Sequence, residues 1–248
     1  HNMSVFLGSS ENLDESVAGF GVAKWAFTDG GKRVRLPVGY DNVAAILSLR
    51  PRVIYMGKSS PWFIAEMVFR GVGVHISDES ISKLIRERPP PMTESELIKH
   101  LCNKSGRFSP DYLRRLVQGR KILDAAAGTG RYLLSLDGYL IGMDASIYAL
   151  MGLLKCGENG GKDVDAVAGS FTAPPLRPGF DVVIIMHALY RGEQEQTLRK
   201  LKSVGKTVIW GEHKSPPAAI DAEKAMAVAS ALGCSVVDND EEFIAICR

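Results

Sequence analysis

The sequence lacks an excess of either charge. Across 248 residues, 30 Lys and Arg stand against 28 Asp and Glu, a formal +2. That balance makes no electrostatic case for nucleic acid as a partner, although a local patch stays open. No apolar run approaches the ~20 residues of a membrane span, so no membrane segment is expected. The start carries no basic–apolar–small leader pattern, and His1-Asn2 ahead of Met3 reads as an expression remnant. Cysteine is scarce, with four residues (Cys102, Cys156, Cys234, Cys247) far apart and no C-x-x-C. Reduced thiols in a cytoplasmic protein are the expectation. The five histidines show no metal-ligand spacing, so no metal is expected. With 46% hydrophobic residues there is enough apolar material for a full core, as one large domain or two smaller ones.

What is present centres on 121–131, KILDAAAGTGR. A short apolar run ends in Asp124, the small residues Ala125, Ala126 and Ala127 follow, and then Gly128-Thr129-Gly130. The apolar segment 132–136 comes next. This predicts a strand, a tight turn bare of side chains, and a helix whose N-terminal N–H groups face a ligand. The dinucleotide fingerprint G-x-G-x-x-G does not fit, because its third glycine falls on Leu133.

The stretch resembles motif I of the class I S-adenosylmethionine-dependent methyltransferases, an acid followed by G-x-G-x-G. Ala126 stands at the first glycine of that pattern, and Gly128 and Gly130 match the other two. The resemblance extends over 109–248. The apolar run 139–143 reads as a second strand ended by Asp144, whose two oxygens suit the hydroxyls of a ribose; capping of the helix 145–155 is the other reading. After a third strand, 165–169, Ser170 stands where the family usually has an acid facing the adenine, with Phe171 placed to lie on the ring. The fourth strand, 180–186, is an almost continuous apolar run, as expected for a strand buried on both faces.

The resemblance implies a doubly wound, Rossmann-like, mostly parallel seven-stranded α/β sheet closed by an antiparallel pair at 234–238 and 242–247. It further implies S-adenosylmethionine as cofactor, bound by Asp124, Ala125, Ala126, Gly128, Gly130, Asp144, Ala145, Ser170, Phe171 and Met186. At the end of the fourth strand, where substrate lies, His187 is the candidate general base and Tyr190 a weaker candidate, beside Arg191; His187 as an orienting residue is the competing reading. Glu212 and His213 end the fifth strand, and either reach substrate or make the turn. The base-amine methyltransferases usually carry Asn/Asp-Pro-Pro-Tyr/Phe where this chain has Met186-His187-Ala188-Leu189. A small-molecule or protein acceptor is therefore favoured over a base amine. The rivals are an RNA methyltransferase with a degenerate N-terminal half and a non-catalytic S-adenosylmethionine-binding protein.

Ahead of this region, 3–91 reads as an α/β extension, and 92–248 as the cofactor domain. The proline triplet 89–91 marks the break. The pattern strand–turn–helix–strand–Asp-x-Ser occurs twice, ending at Asp78-Glu79-Ser80 and at Asp144-Ala145-Ser146. The extension thus reads either as a degenerate repeat, serving as lid, substrate platform or homodimer surface, or as an unrelated β-α-β unit. Thr93 with Glu96 predicts a capping box, and Ser109 a cap for a helix from Pro110. Phe108 and Tyr112 either line the pocket or pack that helix onto the sheet.

Overall fold

The structure is a computed structural model that describes residues 3–17, 23–102, 110–215 and 219–248. The chain divides into two compact units, His1–Leu101 and Cys102–Arg248. The division falls after the first unit's last helix rather than at the proline triplet. Phe108, and the cap expected at Ser109, lie outside the described residues.

The first unit holds five strands: β1 (Met3–Gly8), β2 (Trp25–Thr28), β3 (Arg33–Arg35), β4 (Pro51–Met56) and β5 (Gly73–Ile76), in the order β3-β2-β1-β4-β5. β1 pairs antiparallel with β2 and parallel with β4. Four helices accompany them: α1 (Asp41–Ser48), α2 (Pro61–Val68), α3 (Ile81–Glu87) and α4 (Glu94–Leu101). Pro61 sits in the first turn of α2, where its missing N–H leaves nothing unsatisfied. The predicted capping box opens α4: the Thr93 N–H donates to Glu96 at 2.8 Å and the Glu96 N–H to Thr93 Oγ1 at 3.4 Å. Val5, Phe6, Leu7, Ile54, Met56 and Phe63 form the centre of this unit's own core.

The second unit holds seven strands: β6 (Lys121–Asp124), β7 (Tyr139–Asp144), β8 (Val164–Ala168), β9 (Phe180–Met186), β10 (Gly205–His213), β11 (Ser235–Asp238) and β12 (Glu242–Cys247). Their order is β11-β12-β10-β9-β6-β7-β8. Pairing is parallel from β10 through β8, and β12 runs antiparallel to both β10 and β11. This is the expected doubly wound, mostly parallel sheet with its closing antiparallel pair. Its helices are α5 (Pro110–Leu116), α6 (Ile147–Asn159), α7 (Gln194–Lys202) and α8 (Ala222–Ala231). On α7, Leu198 and Leu201 are buried while Arg199, Lys200 and Lys202 form its basic last turn. On α8, Ala225 and Ala229 are the buried pair one turn apart, and their small size suits close packing.

The repeated sequence pattern has a local explanation. Ser80 caps α3 by accepting the Lys83 N–H, and Ser146 caps α6 by accepting the Ala149 N–H. Both Asp-x-Ser stretches are thus a strand end followed by a helix cap. In both units the repeated pair, β4–β5 and β6–β7, is flanked by a further parallel strand, β1 beside β4 and β9 beside β6; the sheets differ beyond that, where β1 pairs antiparallel with β2 and β9 parallel with β10.

Two expectations are corrected. First, the cysteines are not free thiols: Cys102 pairs with Cys156 and Cys234 with Cys247. The second bridge follows from strand register. Ser235 faces Ile246 in the antiparallel β11–β12 pair, which sets Cys234 opposite Cys247. Disulfides persist in oxidising compartments and in hyperthermophile cells, so the thiol argument for a cytoplasmic location falls. Among the described residues no helix is long and apolar enough to cross a membrane.

Second, no α-helix follows the glycine turn. Only a 3-10 turn, Leu133–Ser135, lies between β6 and β7. Its Leu133 and Leu134 are buried, so an apolar segment short enough to fit one 3-10 turn gave the helical signal. The 14 residues between β6 and β7 meet the length a crossover needs, but the turn through Gly130 takes the first six of them.

Candidate functional site

The order of strands reverses between β6 and β9, and in open α/β sheets ligands bind outside the carboxyl ends of strands at such a point. The turn after β6 lies there. Ala125 N–H donates to the Ile184 carbonyl at 2.9 Å and Ala127 N–H to the Met143 carbonyl at 2.9 Å. These bonds carry the turn between the ends of β9 and β7. Gly128 and Gly130 have φ of +54° and +91°, where a side chain is strained. The two glycines differ in what surrounds them. A Cβ at Gly130 would lie 2.5 Å from Leu153 Cδ1, whereas one at Gly128 would meet nothing within 4 Å among the described residues. Gly130 is required by packing; Gly128 presents bare backbone to open space.

Asp124 is fully buried and accepts the Ala126 N–H at 3.2 Å. Burial, with Asp144 nearby, pushes its carboxyl up to about 7. Asp144 holds the turn from the next strand: Oδ2 accepts the Gly128 N–H at 2.9 Å and Oδ1 the Ser146 N–H at 2.9 Å. It does not itself cap α6, since Ser146 does. The structure therefore brings together Asp124, Ala125, Ala126, Gly128, Gly130 and Asp144, with exposed Ala145 directly beyond.

The remaining expected residues are less uniform. Ser170 is exposed, and its hydroxyl pairs with Thr172 Oγ1 at 2.7 Å and accepts the Thr172 N–H. Phe171 is partly buried against the sheet's core. Met186 is buried, its methyl filling the place that a Cβ on Gly211 would take.

His187 follows directly. It has φ of +57°, a left-handed conformation uncommon outside glycine and concentrated at functional sites. Its N–H donates to the Gly211 carbonyl at 2.7 Å, and its Nε2 lies 2.6 Å from the Tyr132 hydroxyl. The ring stacks on His213 with centroids 3.5 Å apart and planes 10° from parallel. Burial, with His213 and Arg131 close by, pulls its basicity down to about 3. It is neutral near pH 7 and a weak proton acceptor. Tyr190 is partly buried, and the Arg191 guanidinium lies 5.5 Å from the centre of its ring.

Glu212 is fully buried and faces inward on the same side of β10 as Trp210. Its Oε1 accepts the Leu189 N–H at 2.6 Å and the Trp210 indole N–H at 3.1 Å. Burial pushes it up to about 7. It braces the loop after β9 from within β10, a role apart from both readings of it, reaching substrate or making the turn. His213, one residue on, points the other way, and its Nδ1 lies 3.0 Å from Glu242 Oε1. The association of His187, His213 and Glu242 is the feature that sequence spacing missed.

No family model and no curated protein matches the sequence. Among solved structures, the chain is similar to a SAM-dependent methyltransferase from Aquifex aeolicus, at 18% identity and a TM-score of 0.49 over 63% of this chain and 100% of that one. It is similar to magnesium protoporphyrin IX methyltransferase from Synechocystis PCC 6803, solved with bound SAM, at 10% identity and a TM-score of 0.48 over 64% and 86% of the two chains. A third is the tRNA (uracil-54, C5)-methyltransferase of Pyrococcus abyssi, solved with S-adenosyl-L-homocysteine, at 16% identity and a TM-score of 0.44 over 56% of this chain. The match spans only 37% of that enzyme's length.

Proposed function

We propose that the second unit binds S-adenosylmethionine at the β6/β9 switch point and transfers its methyl group to a small-molecule or protein acceptor. The observation that carries this reading is the pairing of Gly128 with Asp144. A glycine with open space before it among the described residues donates its N–H to an acid that ends the neighbouring strand, the place of a ribose-binding carboxylate in the family resembled. Asp124, Ala125, Ala126 and Gly130 shape the turn beneath the cofactor. Ala145, Ser170, Phe171 and Met186 complete its surroundings. Ser170 is the weakest of these, because its hydroxyl already serves Thr172.

When bound, the cofactor would supply an electrophilic methyl carbon on a sulfonium for in-line displacement by a lone pair of the acceptor. Methyl transfer from a sulfonium needs alignment and exclusion of water more than a strong base. A neutral, weakly basic His187 fits that demand as a positioning residue better than as a general base. The Met186-His187-Ala188-Leu189 sequence supports an acceptor other than a base amine.

Calorimetric titration with S-adenosylhomocysteine, with NAD as the control, tests the reading. Micromolar binding of the first and none of the second is expected. Asp144→Ala should weaken binding by about 1–3 kcal/mol, through the lost acceptor for ribose and for the Gly128 N–H. Failure of the wild-type protein to bind S-adenosylhomocysteine would refute the reading. Binding without methyl transfer to any acceptor pool would favour the non-catalytic alternative.

A further inference from the structure

We propose that His187, His213 and Glu242 form a binding site for a first-row divalent metal of the zinc class at the carboxyl end of the second unit's sheet. Each residue offers one donor atom, and the three atoms all lie within 4.8 Å of one another. Two donors on a tetrahedral zinc ion sit roughly 3.3 Å apart, given bond lengths near 2 Å, so small side-chain rotations close the set.

The backbone assembles these donors from three strand ends. His187 follows β9, His213 ends β10 and Glu242 opens β12, with His213 and Glu242 paired directly across the antiparallel ladder. That register accounts for the 3.0 Å approach of His213 Nδ1 to Glu242 Oε1.

His187 supplies the observation that points to a ligand. Among the described residues its buried Nδ1 meets no hydrogen-bonding partner, while Nε2 on the other side of the ring meets the Tyr132 hydroxyl at 2.6 Å. A metal-bound imidazole is usually fixed in this way, one nitrogen on the ion and the other held by a hydrogen-bonding partner that sets ring orientation. A buried ring nitrogen with no partner otherwise needs an explanation. The left-handed backbone at His187 turns its ring toward that of His213, at 3.5 Å between centroids.

Parallel rings hold their lone pairs in two planes stacked face to face, with centroids 3.5 Å apart, so a single ion takes both only when one ring turns out of the stack. His213, with its side chain 20% exposed, has room to turn. Two imidazoles and a carboxylate suit zinc, iron, cobalt or nickel rather than calcium or magnesium, which take oxygen ligands. Three protein donors leave a fourth tetrahedral position for water or a substrate atom, the pattern of catalytic rather than structural zinc.

The test uses the full chain with both disulfides intact, so that the four cysteines do not compete as thiolates. Chelator-treated protein is titrated with Zn2+ by calorimetry and with Co2+ by visible absorption. The expected result is one equivalent of zinc and the intense absorption of tetrahedral cobalt. His213→Ala and Glu242→Gln should each weaken zinc binding tenfold or more with the circular dichroism spectrum unchanged. His75→Ala, in the first unit, should leave it intact. The absence of stoichiometric zinc binding, a cobalt spectrum that is not tetrahedral, or a loss under tenfold in either folded variant overturns the proposal. The wild-type cobalt spectrum decides the matter should a variant fail to fold.

Discussion

The Cys102–Cys156 bridge closes a loop with a sequence separation of 54 that contains α5, β6, the glycine turn, β7 and most of α6. Opening it frees the whole segment in the unfolded chain. Loop-closure entropy then predicts that Cys102→Ser destabilises the second unit by about 4 kcal/mol. The Cys234–Cys247 bridge closes a separation of only 13, for which the same relation gives about 3 kcal/mol. Cys102 is the better residue to replace, because Cys156 is buried on α6 and a free thiol there behaves as a small apolar side chain. Urea unfolding followed by circular dichroism provides the assay. With a slope near 2 kcal/mol per molar, Cys102→Ser should lower the midpoint by about 2 M, and Cys234→Ser by about 1.5 M. Thiol titration of the denatured, unreduced wild type should find none. Free thiols there would refute the pairing itself. Intact bridges with Cys102→Ser costing no more than Cys234→Ser would refute the loop-length reasoning.

Other expectations concern the turn. Asp124 has its folded value raised to about 7, from 3.8 in the unfolded chain, so the folded state holds a proton that the unfolded state releases between those values. This contribution to stability should therefore fall as pH rises through that window, by at most about 4 kcal/mol, and Asp124→Asn should remove it while leaving the fall of the same sign from Glu212, also raised to about 7; thermal melts of both proteins at pH 5 and 8 check this. Gly130→Ala should destabilise by more than about 2 kcal/mol, since positive φ and collision with Leu153 and Leu134 act together. Gly161→Ala has a positive φ but nothing within 4 Å, and should cost only about 1 kcal/mol, read from the same melts.

The strands were legible where their chemistry is unambiguous. β9, seven residues that are apolar save Asp181, reads as a strand covered on both faces, and it is. The Thr93–Glu96 box and Pro61 marked helix starts because capping is local chemistry. The turn around Asp124, Gly128 and Asp144 was legible for the same reason, as each residue sits at a strand end or a tight bend. What depended on tertiary proximity was not. Cys102 and Cys156 meet only through the fold, and His187, His213 and Glu242 come from three strand ends. The missing helix after Gly130 is a third kind of error: Tyr132, Leu133, Leu134 and Leu136 are all buried, but burial of so short a segment requires no helix.

That short connection bears on cofactor choice. A helix starting behind a glycine turn concentrates roughly half a positive charge at its first N–H groups, and dinucleotide sites place a pyrophosphate there. Leu133–Ser135 is a single 3-10 turn, and its few peptide dipoles sum to far less. The turn can approach a ligand closely without offering an electrostatic reward for phosphate. A nucleoside that carries an amino acid in place of a pyrophosphate gives up nothing in such a place, whereas NAD forfeits the interaction that holds its most charged part. On the proposed reading, discrimination between the two cofactors rests on this one 3-10 turn, before any side chain takes part.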